Sequence, residues 1–173
     1  MTRDPVLNDT THTTRTTRTT HTTHTDPRPV LVVEDSADDF DTVVKAAKLA
    51  NVRNSLVHAE DADVAQRLLT SAPASTFAFM LLDFDLPGMD GLSLLDRVRR
   101  DTALADLSVV VFTASINPRD REAFCAAGAS AFHVKSVQHA DCLHTLESIF
   151  THWLNRPALP NGTALSQCGR QSA

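Results

Sequence analysis

The chain has 173 residues, 42% of them hydrophobic and 21% charged, which allows one domain with a real core and little more. Its net charge of −5 with His neutral excludes a molecule that attracts nucleic acid as a whole, and no apolar run approaches the ~20 residues of a membrane span. The 3 cysteines, Cys125, Cys142 and Cys168, are odd in number and form no CxxC, so they read as reduced thiols of a cytoplasmic protein.

Residues 1–28 are a separate segment. Residues 10–25 are mostly Thr, with Arg15, Arg18, His12, His21 and His24 and no apolar residue, so no core forms there and disorder is expected. From residue 29 to residue 154, strand and helix patterns alternate. Val30–Val33 reads as a buried strand running into Glu34-Asp35. A helix at 37–50 follows, with Ser36 as N-cap and Asp39 completing a near capping box. A second strand is expected at 55–59. Asp61 then caps a helix that presents Val64, Ala65, Leu68 and Leu69 on one face. The third strand, 77–82, runs into Asp83. A turn-rich loop, Leu86-Pro87-Gly88-Met89-Asp90-Gly91, leads to a helix carrying Leu92, Leu94, Leu95 and Val98. The fourth strand, 107–112, runs into Thr113. Pro118 suits the first turn of a helix whose C′ residue is Gly128. The fifth strand, 131–134, runs into Lys135, and a last helix spans 139–154. Residues 155–173, with Pro157, Pro160, Gly162 and Gly169, form an irregular C-terminal arm.

Five strands alternating with five helices predict a doubly wound α/β domain, with a five-stranded parallel sheet in the order 2-1-3-4-5. Ligands of such a sheet bind at the carboxyl ends of the strands. Glu34, Asp35, Asp83, Thr113 and Lys135 would therefore meet at one edge. Mg²⁺ takes hard oxygen ligands, often one or two carboxylates with substrate phosphate and water. Asp35 and Asp83 supply those carboxylates, Glu34 acts through water, and the Asp85 backbone carbonyl reaches in from the loop. Asp83 is then the nucleophile for an aspartyl-phosphate, with Lys135 and Thr113 covering transferred oxygens. Asp38, Asp39 and Asp41 read as first-turn acids that match the helix dipole, with Asp38 also in reach of the metal's outer shell.

Four segments carry a resemblance: Glu34-Asp35, Leu82-Asp83-Phe84-Asp85-Leu86-Pro87-Gly88-Met89-Asp90-Gly91, Phe112-Thr113-Ala114 and Val134-Lys135. Over about residues 29–154 they resemble the receiver domain of two-component response regulators, a flavodoxin-like fold. The resemblance implies a non-enzymatic protein whose Asp83 accepts a phosphoryl group from a histidine kinase. It implies Mg²⁺ on Glu34, Asp35, Asp83 and the Asp85 carbonyl, sensing of the phosphoryl group by Thr113, Ala114 and Lys135, and a moving aromatic at Phe132. Glu34-Asp35-Ser36-Ala37-Asp38-Asp39 and the late His152-Trp153-Leu154-Asn155-Arg156-Pro157 are similar to the single-domain regulators of bacterial phytochrome kinases. That similarity implies a bacteriophytochrome partner and a homodimer through the C-terminal helix and arm.

Two residues depart from the family pattern. Ser136 stands where Pro usually follows the lysine, and a cis bond before Ser costs about 2.5–4 kcal/mol. Asp85 adds a carboxylate near the phosphosite that either attracts Mg²⁺ or repels the phosphoryl group. Residues 155–173 are too few for an effector domain, so output is expected by protein contact. Leu143, Leu146, Phe150, Trp153 and Leu154 recur at helical spacing and form the expected dimer or partner surface. Two rivals remain: a phosphorylation-independent receiver-like module, and a haloacid-dehalogenase-type phosphatase with Asp83-Phe84-Asp85 as its motif.

Overall fold

The computed structural model of the chain describes residues 26–71, 73–155 and Cys168. Most of the expected N-terminal tail and C-terminal arm lie outside the described residues. The elements follow in the order β1 (Val30–Val33), α1 (Ala37–Leu49), β2 (Leu56–Ala59), α2 (Ala62–Ser71), a 3-10 turn (Ala74–Thr76), β3 (Met80–Leu82), α3 (Gly91–Arg100), β4 (Val109–Thr113), α4 (Pro118–Ala126), β5 (Ala131–Val134) and α5 (His139–Leu154). All strand pairs are parallel and the order is β2-β1-β3-β4-β5. The order reverses between β1 and β3, which opens the crevice where a doubly wound sheet holds its ligand.

The alternation of side chains along each strand divides the core in two. Leu31, Val33, Met80, Leu82, Val109 and Val111 face α2, α3 and α4; Val30, Val32, Phe79, Leu81, Val110 and Phe112 face α1 and α5. The central strands β1, β3 and β4 are buried throughout, while the edges β2 and β5 are partly exposed. Each fully buried Leu, Ile, Val or Phe contributes roughly 1.5–3 kcal/mol, offset by the cost of ordering the chain.

The punctuation residues behave as their chemistry requires. Ser36 Oγ accepts from the Asp39 N–H at 3.2 Å, Asp61 Oδ1 from the Val64 N–H at 2.6 Å, and Asn117, followed by Pro118, caps α4. Gly128 takes φ +93° after α4 and its N–H reaches the Cys125 carbonyl at 3.1 Å, while the Ala129 N–H reaches Phe124 at 2.9 Å, so the last carbonyls are satisfied. β3 spans Met80–Leu82, shorter than the expected 77–82, and the residues before it stay tied to the β1 side by the Ala78 N–H on the Pro29 carbonyl at 2.8 Å and the Leu31 N–H on the Phe79 carbonyl at 3.1 Å. β4 starts at Val109 and not at 107, and runs one residue past the expected end to Thr113, whose carbonyl accepts the Lys135 N–H at 2.7 Å and joins the ladder.

Two expectations are corrected here. Leu143, Leu146, Phe150, Trp153 and Leu154 do not form a partner surface: each is 9% exposed or less, packed with Phe79 and the β1 and β4 side chains. The sheet face between α1 and α5 needs the whole width of that stripe. Phe150 and Trp153 both lie against Phe79, with ring centroids 6.1 and 6.3 Å away. The second correction concerns the thiols. Cys125 on α4 is bonded to Cys168, with the Cα atoms 5.4 Å apart, and Cys142 is the free cysteine. A pair separated by 43 residues and joined only in the fold leaves no spacing signal in the sequence.

Candidate functional site

The parallel register brings the carboxyl ends of β1, β3, β4 and β5 to one edge. Val33 pairs with Leu82, so Glu34 and Asp35 leave β1 where Asp83 leaves β3. The Asp83 N–H donates to the Val33 carbonyl at 3.0 Å, which fixes the phosphosite candidate to the end of β1. Thr113 pairs with Val134, which places Lys135 next along β5.

Oxygens of Glu34, Asp35 and Asp83 all lie within 4.8 Å of one another. Glu34 and Asp83 are buried and Asp35 is exposed, so the cluster has a dry floor and an open side. The Lys135 ammonium enters from β5. Its Nζ donates to Glu34 Oε2 at 2.8 Å, Asp83 Oδ2 at 2.8 Å and Asp39 Oδ2 at 2.6 Å, and lies 5.9 Å from the centre of the Phe112 ring. The second oxygens of Asp83 and Glu34 have backbone partners. Phe84 N–H donates to Asp83 Oδ1 at 2.6 Å, and Ser36 N–H donates to Glu34 Oε1 at 3.3 Å.

Burial pushes the Glu34 carboxyl up to about 7; the bond from Lys135 opposes that, and the neighbouring Asp83 and Asp39 charges add to it. Burial by itself depresses Lys135, but its bonds to Asp39, Asp83 and Glu34 outweigh that and hold the ammonium above its ordinary range. Four carboxylates, counting Asp35, thus face one ammonium. The surplus negative charge and the all-oxygen donor set fit a hard divalent cation such as Mg²⁺ or Mn²⁺, held through Glu34, Asp35 and Asp83.

The other expected site residues are placed as follows. Thr113 is fully buried at the end of β4 and its Oγ1 accepts from the Ser115 N–H at 3.2 Å; Ala114 is exposed beside it. Phe132 is half-buried, with its ring centroid 5.9 Å from Phe124, which in turn meets Phe84 edge-on at 5.5 Å. Asp85 is exposed, and its carboxylate is not among the three that converge. Asp38 is exposed too and outside the cluster. The Lys135–Ser136 bond is trans, like every peptide bond among the described residues.

Three contributors escaped the sequence reading. Asp39 is on Lys135 and not merely a first-turn acid. His58 on β2 meets the Glu34 carbonyl at 2.7 Å and stacks on Phe40 at 3.8 Å, bracing the start of the acid pair from the side. Phe124 links the Phe132 ring to Phe84, the residue after the phosphosite candidate.

A 2-1-3-4-5 parallel sheet with an acid–lysine cluster at its switch point defines a flavodoxin-like protein of the receiver type. The chain belongs to the response regulator receiver domain family, whose model matches residues 30–147. Among curated proteins it is similar to the response regulator Rcp1 of Synechocystis sp., 28% identical over 140 residues covering 78% of this chain and 94% of that protein. It is also similar to the chemotaxis protein CheY-3 of Vibrio cholerae, 28% identical over 113 residues covering 65% and 87%. Among solved structures, the Mn²⁺-bound form of Rcp1 matches with a TM-score of 0.71 at 27% identity, covering 78% of this chain and all (100%) of the other. The phosphorylated cyanobacterial phytochrome response regulator RcpA matches with a TM-score of 0.72 at 26% identity, covering 79% and 100%. The phosphatase rival falls with these findings: its motif opens a fold at the first strand, whereas Asp83-Phe84-Asp85 follows the central β3.

Proposed function

We propose that the protein is a single-domain response regulator that takes a phosphoryl group on Asp83 from a histidine kinase of the bacteriophytochrome type and passes the signal on by protein contact. The observation that carries this reading is the Asp83 carboxylate, buried at the crevice between β1 and β3 with one oxygen on Lys135 and the other on the Phe84 N–H. Similarity to Rcp1 and RcpA supports the choice of kinase class.

In this reading an Asp83 oxygen attacks phosphorus, a P–O bond forms, the P–N bond to the kinase histidine breaks, and that nitrogen regains a proton from water. Mg²⁺ held by Glu34, Asp35, Asp83 and the Asp85 carbonyl would neutralise charge on the transferred oxygens. Lys135 holds a second oxygen, and the Thr113 hydroxyl with the Ala114 N–H a third. Turning Thr113 toward the phosphoryl group ends its bond to the Ser115 N–H and opens space for Phe132 to move inward against Phe124. The protein itself is then a substrate of its kinase and not an enzyme, acting in the cytoplasm. A homodimer belongs to this reading only through the exposed side of α5 and the C-terminal arm.

Intact mass after incubation with acetyl phosphate and Mg²⁺ tests it. One added phosphoryl group on the wild type, none on Asp83→Asn, and none when EDTA precedes the donor is the expected result. No adduct on the wild type, even with a phytochrome-type kinase supplied, would replace it with a phosphorylation-independent interaction module.

A further inference from the structure

We propose that Asp39 is the positioning residue for Lys135: a carboxylate on α1, outside the cation pocket, that keeps the ammonium at the pocket rim when a divalent cation takes Glu34 and Asp83. The inference rests on the reading of the acid cluster as a cation site.

An ammonium has three N–H donors, and Lys135 directs them at three carboxylates, at 2.8, 2.6 and 2.8 Å. Two of these belong to the converging pocket and are almost closed to solvent, the Glu34 and Asp83 side chains being 4% and 8% exposed. The third, Asp39, stands apart from the converging set and is 46% exposed. A cation and Lys135 therefore compete for the same two carboxylates, but not for Asp39. The Lys135 side chain is itself only 10% exposed. Displaced from both pocket acids, it would become a buried charge with no partner, which is costly. Asp39 removes that obstacle to cation entry. It also leaves Nζ beside the Asp83 oxygen on which the phosphoryl group would stand.

The local structure is shaped for this. Ser36 Oγ holds the Asp39 N–H, which fixes the backbone at the first turn. In a full capping box the acid three residues on would turn back to the cap N–H. Here the Ser36 N–H goes to Glu34 Oε1 instead, and the Asp39 carboxylate is left to reach across to β5.

The competing account makes Asp39 an ordinary first-turn acid, acting on the cation only through its charge. A double-mutant cycle separates the two. Mn²⁺ affinity is measured by calorimetry on the wild type, Asp39→Asn, Lys135→Met and the double variant. Loss of a partner that orients a metal site typically costs 10–100-fold, so Asp39→Asn should weaken Mn²⁺ binding by about tenfold in the presence of Lys135. With Lys135→Met as background the same change should cost under about twofold, since nothing remains to be held. Asp39→Glu, which keeps the carboxylate, should recover most of the affinity and guards against a folding defect in the Asn variant. Equal losses in the two backgrounds would overturn the role of Asp39 while leaving the metal site standing. A wild type that binds no Mn²⁺ would overturn both.

Discussion

Glu34 is the residue whose ionisation matters most to the acid cluster. Its carboxyl, raised by burial to about 7, holds a proton in the fold at pH values where the unfolded chain would have lost it. The contribution to stability is therefore full below its ordinary value of 4.5 and is lost as pH rises to about 7. Metal-free protein should lose at most about 1.4 kcal/mol per pH unit over that window from this group, and Glu34→Gln should flatten the difference in thermal unfolding. A cation and the proton compete for the same oxygens, so Mn²⁺ affinity should fall as pH drops below 7 and level off above it. Calorimetry at several pH values would read this, and a pH-independent affinity would show that Glu34 is not a ligand. Glu34, Asp83, Thr113 and Lys135 were legible in the sequence because strand ends are marked by where apolar runs stop. Asp39 and His58 were not. An acid in a first turn already has a local use, and a polar residue in an edge strand has a solvated one, so only the tertiary approach of α1, β2 and β5 gives them another.

At the scale of elements, the approach of α3 to β3 sets how sharply the phosphosite is held. Gly91 opens α3, its N–H donates to the Phe84 carbonyl at 3.0 Å, and a Cβ there would run into the Asp83 carbonyl. In the sequence Gly91 closes a turn-rich loop and the family-like segment; its requirement in the fold is close approach to backbone. Gly91→Ala should cost roughly 1–3 kcal/mol, as overpacking does, and should weaken Mn²⁺ binding severalfold by moving Asp83. Chemical denaturation and a metal titration on one preparation would show both effects; an alanine variant with unchanged metal binding would mean that α3 simply shifts away. Strand order and helix order were fixed early by alternation and right-handed crossovers, and capping residues marked most helix starts. The α5 stripe misled because a helix wide with apolar residues looks alike whether it covers a sheet or a partner. Width decides only once the strands beneath it are known, and Phe79 takes up the Trp153 end.

For the whole molecule, the Cys125–Cys168 bond ties α4 to a residue 43 positions later. Unreduced, denatured protein should expose one reactive thiol, that of Cys142, and reduced protein three. Loop closure on this scale is worth about 4 kcal/mol in the chain-entropy model, so reduction should lower the midpoint of thermal unfolding measurably. Three titratable thiols without reductant would show that the bond does not form in solution. Composition gave no access to this pairing, because an odd cysteine count says nothing about which two meet.

The two ends of the described domain also meet. The Asp26 N–H donates to the Leu154 carbonyl at 3.0 Å, and Asn54, just before β2, binds the carbonyls of Asp26 and Arg28. This corner lies at the amino ends of the strands, on the side of the sheet away from Asp83. Chain entry and chain exit thus share one anchor point while the acidic edge faces the other way. Residues 26–155 can be spliced into a surface loop of a host protein as a cassette, entering and leaving through a single gap and giving up the Cys125–Cys168 bond, with the crevice between β1 and β3 still open to an incoming histidine.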